Sequence, residues 1–275
     1  MASSPSTMSV QGGEGLTGVD FGKTSEDYAR HRAGFPLGFL DRLSALGVGL
    51  PGQRIVDLGA GTGALARALA ARGCDVTAVD VAAEQLAQLR ALDQGTPTPV
   101  VTRVAPAEDT GLAGGTFDAV TAAECWHWFD RPRAAAEARR LLVPGGRLLI
   151  AHLSWLGLPA SVVEATVDLV ERFHPGARAR SSRFGLGIGI YPQWFTDLQD
   201  AGFRHLESFS VDVDIPYTHA SWRGRMRASA AIGATLPPEE VAAFDAALGE
   251  VLLARFPEPL AVPHRAFAVL GRLPP

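Results

Sequence analysis

The sequence predicts an α/β fold with a doubly wound, mostly parallel sheet. Strand-like and helix-like segments alternate along most of the chain, and a glycine-rich turn joins the first strand to the first core helix. The predicted strands cover 54–58, 75–80, 99–104, 117–122 and 146–153, and the helices between them cover 62–72, 82–92 and 130–141. Because such crossovers are right-handed, the ligand crevice is expected at the carboxyl ends of the strands.

Further elements are predicted on both sides of this core. Ser25 opens a short helix that runs through Tyr28 and Arg32. The stretch 176–190, rich in Arg, Ser and Gly, has no stable period and is interpreted as a lid. The remaining predictions are helices over 36–46, 159–173, 191–201, 219–231 and 238–255, and strands over 206–217 and 265–270.

The domain organisation is predicted to be simple. Residues 1–15, rich in Ser and Gly, cannot offset the entropy of ordering and are expected to be a disordered tail. Residues 16–275 are expected to form a single domain. Its core is assigned to about 50–155 and 191–275, and cap or lid elements to about 20–48, 156–190 and 218–257.

Composition excludes several classes of function. The chain has 275 residues, 47% of them hydrophobic, with 25 Lys and Arg against 29 Asp and Glu, so it lacks the basic footprint of a nucleic-acid binder. Cys74 and Cys125 stand alone, and the histidines have no metal-ligand spacing. No signal peptide or membrane span is visible. We therefore expect a cytoplasmic protein, monomer or homodimer, with a small-molecule partner, no membrane association and no protein-built metal site.

The glycine-rich turn is interpreted as a cofactor loop. Gly59, Gly61 and Gly63 follow the first strand, and glycine allows a tight turn and a close approach of a ligand to the backbone. The spacing to Ala64 also satisfies the relaxed fingerprint of a dinucleotide site, so NAD is an open alternative. Asp57 favours S-adenosylmethionine, because a carboxylate repels pyrophosphate but holds an ammonium group directly or through water.

Five motifs in order resemble those of class I S-adenosylmethionine-dependent methyltransferases, in particular the small-molecule group of trans-aconitate and ubiquinone–menaquinone methyltransferases. The motifs are Asp57–Gly63, Val76–Asp80, Ala107–Asp109, Phe117–Val120 and Leu142–Arg147. The resemblance covers about residues 20–155. It implies a seven-stranded Rossmann-like sheet with an antiparallel last strand and helical cap insertions.

The same resemblance implies which residues hold the cofactor. Asp80 is expected to bind the ribose hydroxyls, and Ala107 with Glu108 or Asp109 to flank the adenine. Tyr28 and Arg32, four residues apart on one helix face, are expected to close over the methionine end. The full predicted cofactor set is Tyr28, Arg32, Asp57, Gly59, Ala60, Gly61, Asp80, Val81, Ala107, Glu108 and Ala123.

The sequence contains fewer signals for the residues that contact the acceptor. The segment Glu124–Phe129 follows the fourth strand, and His127 is the candidate catalytic base, with a packed histidine as the alternative. The predicted substrate contacts are Trp128, Tyr191, Trp222 and Arg225. An anionic acceptor would suit the arginines, because guanidinium binds carboxylate and phosphate bidentately; they are Arg178, Arg180, Arg183, Arg223, Arg225 and Arg227.

These observations predict methyl transfer to a small-molecule acceptor, with S-adenosylhomocysteine as product. The reaction is an in-line displacement, which needs alignment, exclusion of water and, for a protonated acceptor, a base. Oxygen or carbon is favoured as the acceptor atom, because no Asp/Asn-Pro-Pro-Tyr signature follows the fourth strand. The alternatives are an NAD-dependent oxidoreductase and a non-methylating protein that binds S-adenosylmethionine.

Overall fold

The fold is a seven-stranded mixed sheet covered by helices. The computed structural model describes residues 33–96, 98–179, 187–229 and 231–275. In these residues the strand order is β3-β2-β1-β4-β5-β7-β6; the pairs from β3 to β5 are parallel, and β7 runs antiparallel to both β5 and β6. The predicted α/β class, the mostly parallel sheet and the antiparallel last strand are confirmed. Tyr28, Arg32 and the predicted helix that carries them lie outside the described residues.

The strands agree with the predicted ones in order; β1 and β2 have the predicted bounds, and the other strands differ in length. The strands are β1 Arg54–Leu58, β2 Asp75–Asp80, β3 Val101–Val104, β4 Phe117–Ala123, β5 Leu142–Trp155, β6 Arg204–Tyr217 and β7 Leu260–Arg272. The sequence predicted a strand over 146–153, but β5 begins four residues earlier, at Leu142, and includes Gly145 with a φ of 80°. The register between β4 and β5 shifts between Phe117 and Ala119, an irregularity that accommodates this segment.

The helices lie where the apolar periodicity predicts them. They are α1 Leu37–Ala45, α2 Ala64–Ala70, α3 Ala83–Leu92, α4 Arg131–Leu141, α5 Val162–Phe173, α6 Gln193–Asp200, α7 His219–Arg227 and α8 Pro238–Arg255. The N-cap Asp130 begins α4 by accepting a hydrogen bond from the Arg133 N–H at 3.2 Å. A 3₁₀ helix over Trp126–Trp128, which the sequence did not predict, lies between β4 and α4.

Helices cover both faces of the sheet, so the central strands are buried on two sides. Helices α1, α2 and α3 pack on one face through side chains such as Leu43, Leu65 and Leu89. Helices α4 and α6 pack on the other face through Ala138 and Leu198, among others. Burial on both faces explains why β1 and β4 read as continuous apolar runs interrupted by few polar residues.

A third apolar cluster joins α5, α7 and α8 to the ends of β6 and β7. Its fully buried members include Trp222, Phe244 and Val262. Thr218 caps α7 in a capping box with Ser221. Among the described helices, none is both long enough and apolar enough to cross a lipid bilayer.

Candidate cofactor and acceptor site

Two of the three loop glycines are required by packing against protein side chains. Gly59 has a φ of 62°, and a Cβ there would lie 2.8 Å from the Cys125 Sγ and 2.9 Å from the Phe129 Cζ. Gly63, with a φ of 79°, lies against Leu89, whose Cδ1 would be 2.7 Å from such a Cβ. Both positions therefore exclude larger residues for reasons internal to the fold.

Gly61 has different surroundings. Its φ is 55°, and the nearest atom to a Cβ built there is Gln85 Oε1 at 3.9 Å. The space in front of this backbone is open, so a ligand can approach it closely. Of the three glycines, Gly61 is the one whose missing side chain leaves room for a cofactor.

Alanine substitutions should separate these two roles. Gly61→Ala is expected to lower the free energy of unfolding by only about 1–2 kcal/mol, the cost of a left-handed conformation, while cofactor affinity falls at least about tenfold because the methyl group fills the cradle. Gly59→Ala should cost more stability, because it adds overlap with Cys125 and Phe129 to the same strain. Urea unfolding and calorimetric titration would measure both quantities. A Gly61→Ala variant that binds the cofactor as tightly as wild type would contradict this assignment.

Asp80 ends β2 beside the cradle. Its Oδ2 accepts a hydrogen bond from the Gly61 N–H and its Oδ1 accepts one from the Ala82 N–H, both at 2.8 Å. Burial raises the pKa of Asp80 above its ordinary value, and the hydrogen bonds from the Ala82 and Gly61 N–H groups partly oppose that shift. Each carboxylate oxygen keeps a second lone pair, which can accept a hydroxyl hydrogen. The geometry is therefore compatible with the predicted ribose contact.

Asp57 is more deeply buried than the sequence suggested. It is 1% exposed, and its Oδ1 accepts a hydrogen bond from the Thr121 hydroxyl at 2.6 Å. Burial raises the pKa of Asp57 to about 7, with the Thr121 hydrogen bond lowering it and the charge of Asp80 raising it further. Of the two predicted contacts with an ammonium group, direct or through water, this burial favours the one through water.

The remaining predicted cofactor residues lie along the same edge of the sheet. Val81, next to Asp80, is 59% exposed and offers an apolar surface to a flat base. Ala107 is buried, at 5% exposure. Glu108 Oε1 accepts a hydrogen bond from the Asp130 N–H at 2.9 Å, so this carboxylate also supports the start of α4. The other two are Ala60, whose N–H donates to Val79 O at 3.0 Å, and Ala123, which ends β4 opposite Ala151.

The ends of β4 and β5 bring together a pair that sequence reasoning missed. The Ala123–Ala151 pairing places Glu124 and His152 side by side. Glu124 Oε1 lies 3.7 Å from His152 Nδ1 and accepts a hydrogen bond from the Leu153 N–H at 2.6 Å. A polar His152 directly after the apolar run of β5 is the sequence signal that could have found it.

The predicted acceptor residues His127 and Tyr191 lie beside His152, and Trp128 lies beside His127. The ring centroid of His127 lies 4.9 Å from that of Trp128 and 5.7 Å from that of His152. The ring of Tyr191 lies 5.0 Å from the His152 ring and stacks on Trp194 at 4.1 Å. Burial raises the pKa of Tyr191 to about 12, partly opposed by its hydrogen bond with Ser154, so its hydroxyl is neutral at physiological pH.

The structure places Trp222, a predicted substrate contact, in the protein interior. This side chain is 0% exposed inside the cluster of α5, α7 and α8, and its indole N–H donates to the Thr166 hydroxyl at 3.0 Å. Its apolar surface contributes to the core of the cap, and none of it is accessible to an acceptor. The aromatic residue was placed near the substrate because its helix was assigned to the cap, which does not determine which helix face is buried.

The predicted arginine set is also largely engaged within the protein. Arg223 and Arg227 both bind Asp245 of α8, and Arg178 pairs with Asp168. Burial raises the pKa of Asp245, but the hydrogen bonds from Arg223 and Arg227 outweigh it and lower the pKa below its ordinary value. Arg225 lies over the ring of Trp155 at 4.8 Å. Arg180 and Arg183 are outside the described residues.

The site thus combines an open glycine backbone, a carboxylate at the end of the next strand and a polar group at the ends of β4 and β5. This combination is that of a Rossmann-like cofactor site, and the residues predicted to contact the acceptor lie beside it. A family profile described as "Methyltransferase domain" matches residues 56–150, which include the glycine loop, Asp80 and Glu124 and end two residues before His152.

Comparison with known proteins agrees with the geometry. The chain is 41% identical over 130 residues to an uncharacterized methyltransferase of Mycobacterium tuberculosis, a match that covers 47% of this chain and 50% of that relative. The chain therefore spans half the length of this curated relative. It is 40% identical over 186 residues to a ubiquinone biosynthesis O-methyltransferase of Xanthomonas campestris, covering 66% of this chain and 73% of the relative.

A solved structure shares the fold at low identity. Phosphoethanolamine N-methyltransferase 2 of Haemonchus contortus, in complex with S-adenosylhomocysteine, superposes with a TM-score of 0.54 and 18% identity, covering 95% of this chain and 61% of that chain. This likeness concerns the fold. The family is shown by the O-methyltransferase relative, which is 40% identical and of which this chain covers 73%. The chain belongs to the class I methyltransferases, whose cofactor is S-adenosylmethionine.

Proposed function

We propose that this protein transfers a methyl group from S-adenosylmethionine to an oxygen atom of a small-molecule acceptor. The observation that carries the proposal is the open backbone at Gly61, hydrogen-bonded to the Asp80 carboxylate at the edge where β4 and β5 also end. Oxygen is preferred to carbon because the relative of which this chain covers 73% is named an O-methyltransferase.

The residues at this edge would bind different parts of the cofactor. When bound, S-adenosylmethionine supplies an electrophilic methyl group on a sulfonium centre. Gly61 and Asp80 would hold its nucleoside part, and the buried Asp57 carboxylate would attract its ammonium group through water. Val81, exposed beside Asp80, would contact the adenine. Tyr28 and Arg32 remain proposed contacts of the methionine end.

The acceptor would lie at the ends of β4 and β5. His127 and Trp128 would orient it, and the neighbouring aromatic rings would help to exclude water from the reacting atoms. Arg225 is retained as the residue that would contact an anionic group of the acceptor. The net charge of −4 gives no support to a nucleic-acid acceptor.

Binding and transfer would be tested separately. Calorimetric titration of the purified protein should give micromolar binding of S-adenosylmethionine and no binding of NADH. Incubation with methyl-labelled cofactor and a panel of phenols, alcohols and carboxylic acids should then transfer the label to one acceptor class. Binding of NADH instead of S-adenosylmethionine would contradict the proposal, and cofactor binding without transfer to the panel or to a metabolite extract would contradict the enzymatic part.

A further inference from the structure

We propose that His152 accepts the proton of the acceptor hydroxyl during methyl transfer and that Glu124 is the positioning residue that holds its ring. The inference rests on the proposed function and adds two residues to it. It also gives His127 a different role from the catalytic one expected from the sequence, namely orientation of the acceptor. The substrate class that follows is a phenol-type hydroxyl.

The position of His152 suits this role. Neighbouring strands lie about 4.8 Å apart, and β4 lies between β1 and β5, so His152 on β5 is two strands, about 10 Å, from the strand that leads into the glycine loop. A methyl donor held at the loop and an acceptor beside β5 would fit within that offset. The His152 side chain is 19% exposed, so an acceptor can reach it, whereas Glu124 beneath it is 12% exposed.

Glu124 is fixed by an unusual backbone conformation. Its φ of 69° lies in the left-handed region, which costs a residue with a side chain about 1–2 kcal/mol. Its N–H donates to Ala151 O at 2.9 Å, and its carboxylate accepts from the Leu153 N–H at 2.6 Å. Main chain and side chain therefore both tie Glu124 to β5, on either side of His152. Strained residues of this kind are concentrated at functional sites.

The ring of His152 is oriented through its Nδ1 atom. Ser154 Oγ lies 3.1 Å from this nitrogen and 2.9 Å from the Tyr191 hydroxyl, and Glu124 Oε1 lies 3.7 Å from it. We assign the proton of the neutral ring to Nδ1, from which it is donated to Ser154 Oγ. Nε2, on the opposite side of the ring, is then the atom that accepts a proton from the acceptor.

The charged and titratable groups near His152 come from four elements. Glu124 follows β4, His127 lies on the 3₁₀ helix, and Tyr191 precedes α6 and is neutral. On β7, Arg265 is paired in register with Ser154, but both of its carboxylate contacts, at 2.7 Å, are to Asp212. Glu124 thus supplies the negative charge beside His152, which stabilises the imidazolium formed when the ring takes a proton.

The proton balance of the step fixes the kind of acceptor. The acceptor oxygen forms a bond to the methyl carbon, the methyl–sulfur bond breaks with its electron pair left on sulfur, and the hydroxyl proton passes to His152 Nε2. The imidazolium later returns this proton to solvent. A phenol has a pKa of about 10, so its acid dissociation constant is within about four powers of ten of that of the imidazolium ion. An alcohol as weakly acidic as water has a pKa of about 15.7, which is too high for imidazole to remove its proton. A carboxylate has no proton to remove.

The first test uses substitutions and phenolic probes. The wild type is expected to methylate catechol or 3,4-dihydroxybenzoate, and not benzyl alcohol or benzoate. His152→Gln should lower kcat about 100-fold and abolish the acid limb of the pH profile, while KM and cofactor affinity stay within about twofold. The matched variant His127→Gln should raise KM more than it lowers kcat, and it should keep the acid limb.

Glu124→Gln tests the positioning role. The amide oxygen can still accept from the Leu153 N–H, so the fold is kept and only the negative charge is lost. We expect kcat to fall about tenfold and the acid limb to move to lower pH, because the imidazolium loses its charge partner. Side-chain NMR of the seven histidines, assigned by substitution, should show a lower titration midpoint for His152 in this variant, independently of turnover.

The outcomes distinguish this inference from the proposed function. Label transfer with unchanged kcat and pH profile in His152→Gln would overturn the inference alone. So would a preference for benzyl alcohol or benzoate over the phenols, or a His152 midpoint that is the same in Glu124→Gln and wild type. A wild-type protein that binds no S-adenosylmethionine and transfers no label would overturn the proposed function, and the inference with it.

Discussion

Replacing Asp80 by alanine is expected to weaken S-adenosylmethionine binding by about 3 kcal/mol, roughly 100-fold, since two hydroxyl hydrogen bonds to a carboxylate are lost. The structure adds a second reason for a loss. Asp80 also accepts from the Gly61 and Ala82 N–H groups, so the substitution loosens the cradle itself. Calorimetric titration would measure the affinity, and urea unfolding would separate a loosened loop from an unfolded protein.

Asp75→Ala is the matched control for this substitution. Asp75 begins the same strand, is exposed and lies at the opposite edge of the sheet, so its removal should leave the dissociation constant unchanged. An Asp80→Ala variant whose affinity is also within twofold of wild type would disprove the ribose assignment.

Asp57→Asn is expected to change stability and cofactor affinity in opposite directions. Because the pKa of Asp57 is raised to about 7 in the folded protein from 3.8, the folded state binds more protons than the unfolded state between about pH 4 and 7. The free energy of unfolding should therefore fall as the pH rises through this window, by at most about 4 kcal/mol at 1.36 kcal/mol per pKa unit. Asparagine carries no charge, so the variant should lack this slope and be the more stable apoprotein at pH 8.

The same substitution should weaken the binding of the cofactor. A cationic ammonium group lowers the pKa of a nearby carboxylate, so binding to the wild type should release a proton near pH 7 and become tighter as the pH rises. The Asp57→Asn variant should bind about tenfold more weakly or worse and release no such proton. Urea unfolding at pH 5 and pH 8 and titration calorimetry in two buffers measure these effects, with Asp75→Asn as the control. Equal pH slopes in Asp57→Asn and wild type would rule out a protonated Asp57.

The sequence was sufficient to predict the parts of the fold that depend on local residue patterns. Strands β1 and β2 match their predicted bounds, because continuous β-branched runs bounded by turn residues identify buried parallel strands. The position of the cofactor-binding edge could be predicted from the same pattern, because the carboxyl ends of parallel strands meet at one side of the sheet. Gly61 and Asp80 are indeed hydrogen-bonded neighbours there.

Features that depend on distant contacts could not be predicted in this way. The burial of Trp222 depends on which face of α7 meets α5, and apolar content alone does not determine that. The Glu124–His152 pair depends on the register of β4 with β5 and on a positive φ angle at a non-glycine residue. Likewise, the extension of β7 to Leu260–Arg272 requires antiparallel pairing along both of its edges, with β5 and β6.

The close fit of Gly59 against Cys125 and Phe129 has a consequence for engineering acceptor choice. Gly59 belongs to the loop that would bind the methyl donor, and Cys125 and Phe129 belong to the segment that leads to the acceptor side. The two segments are in direct contact, without space for a larger side chain between them. Reshaping Phe129 to admit a bulkier acceptor should therefore also shift the donor-binding turn. Acceptor selectivity and affinity for the methyl donor are expected to vary together in libraries at position 129. A compensating change would have to be made in the loop around Gly59.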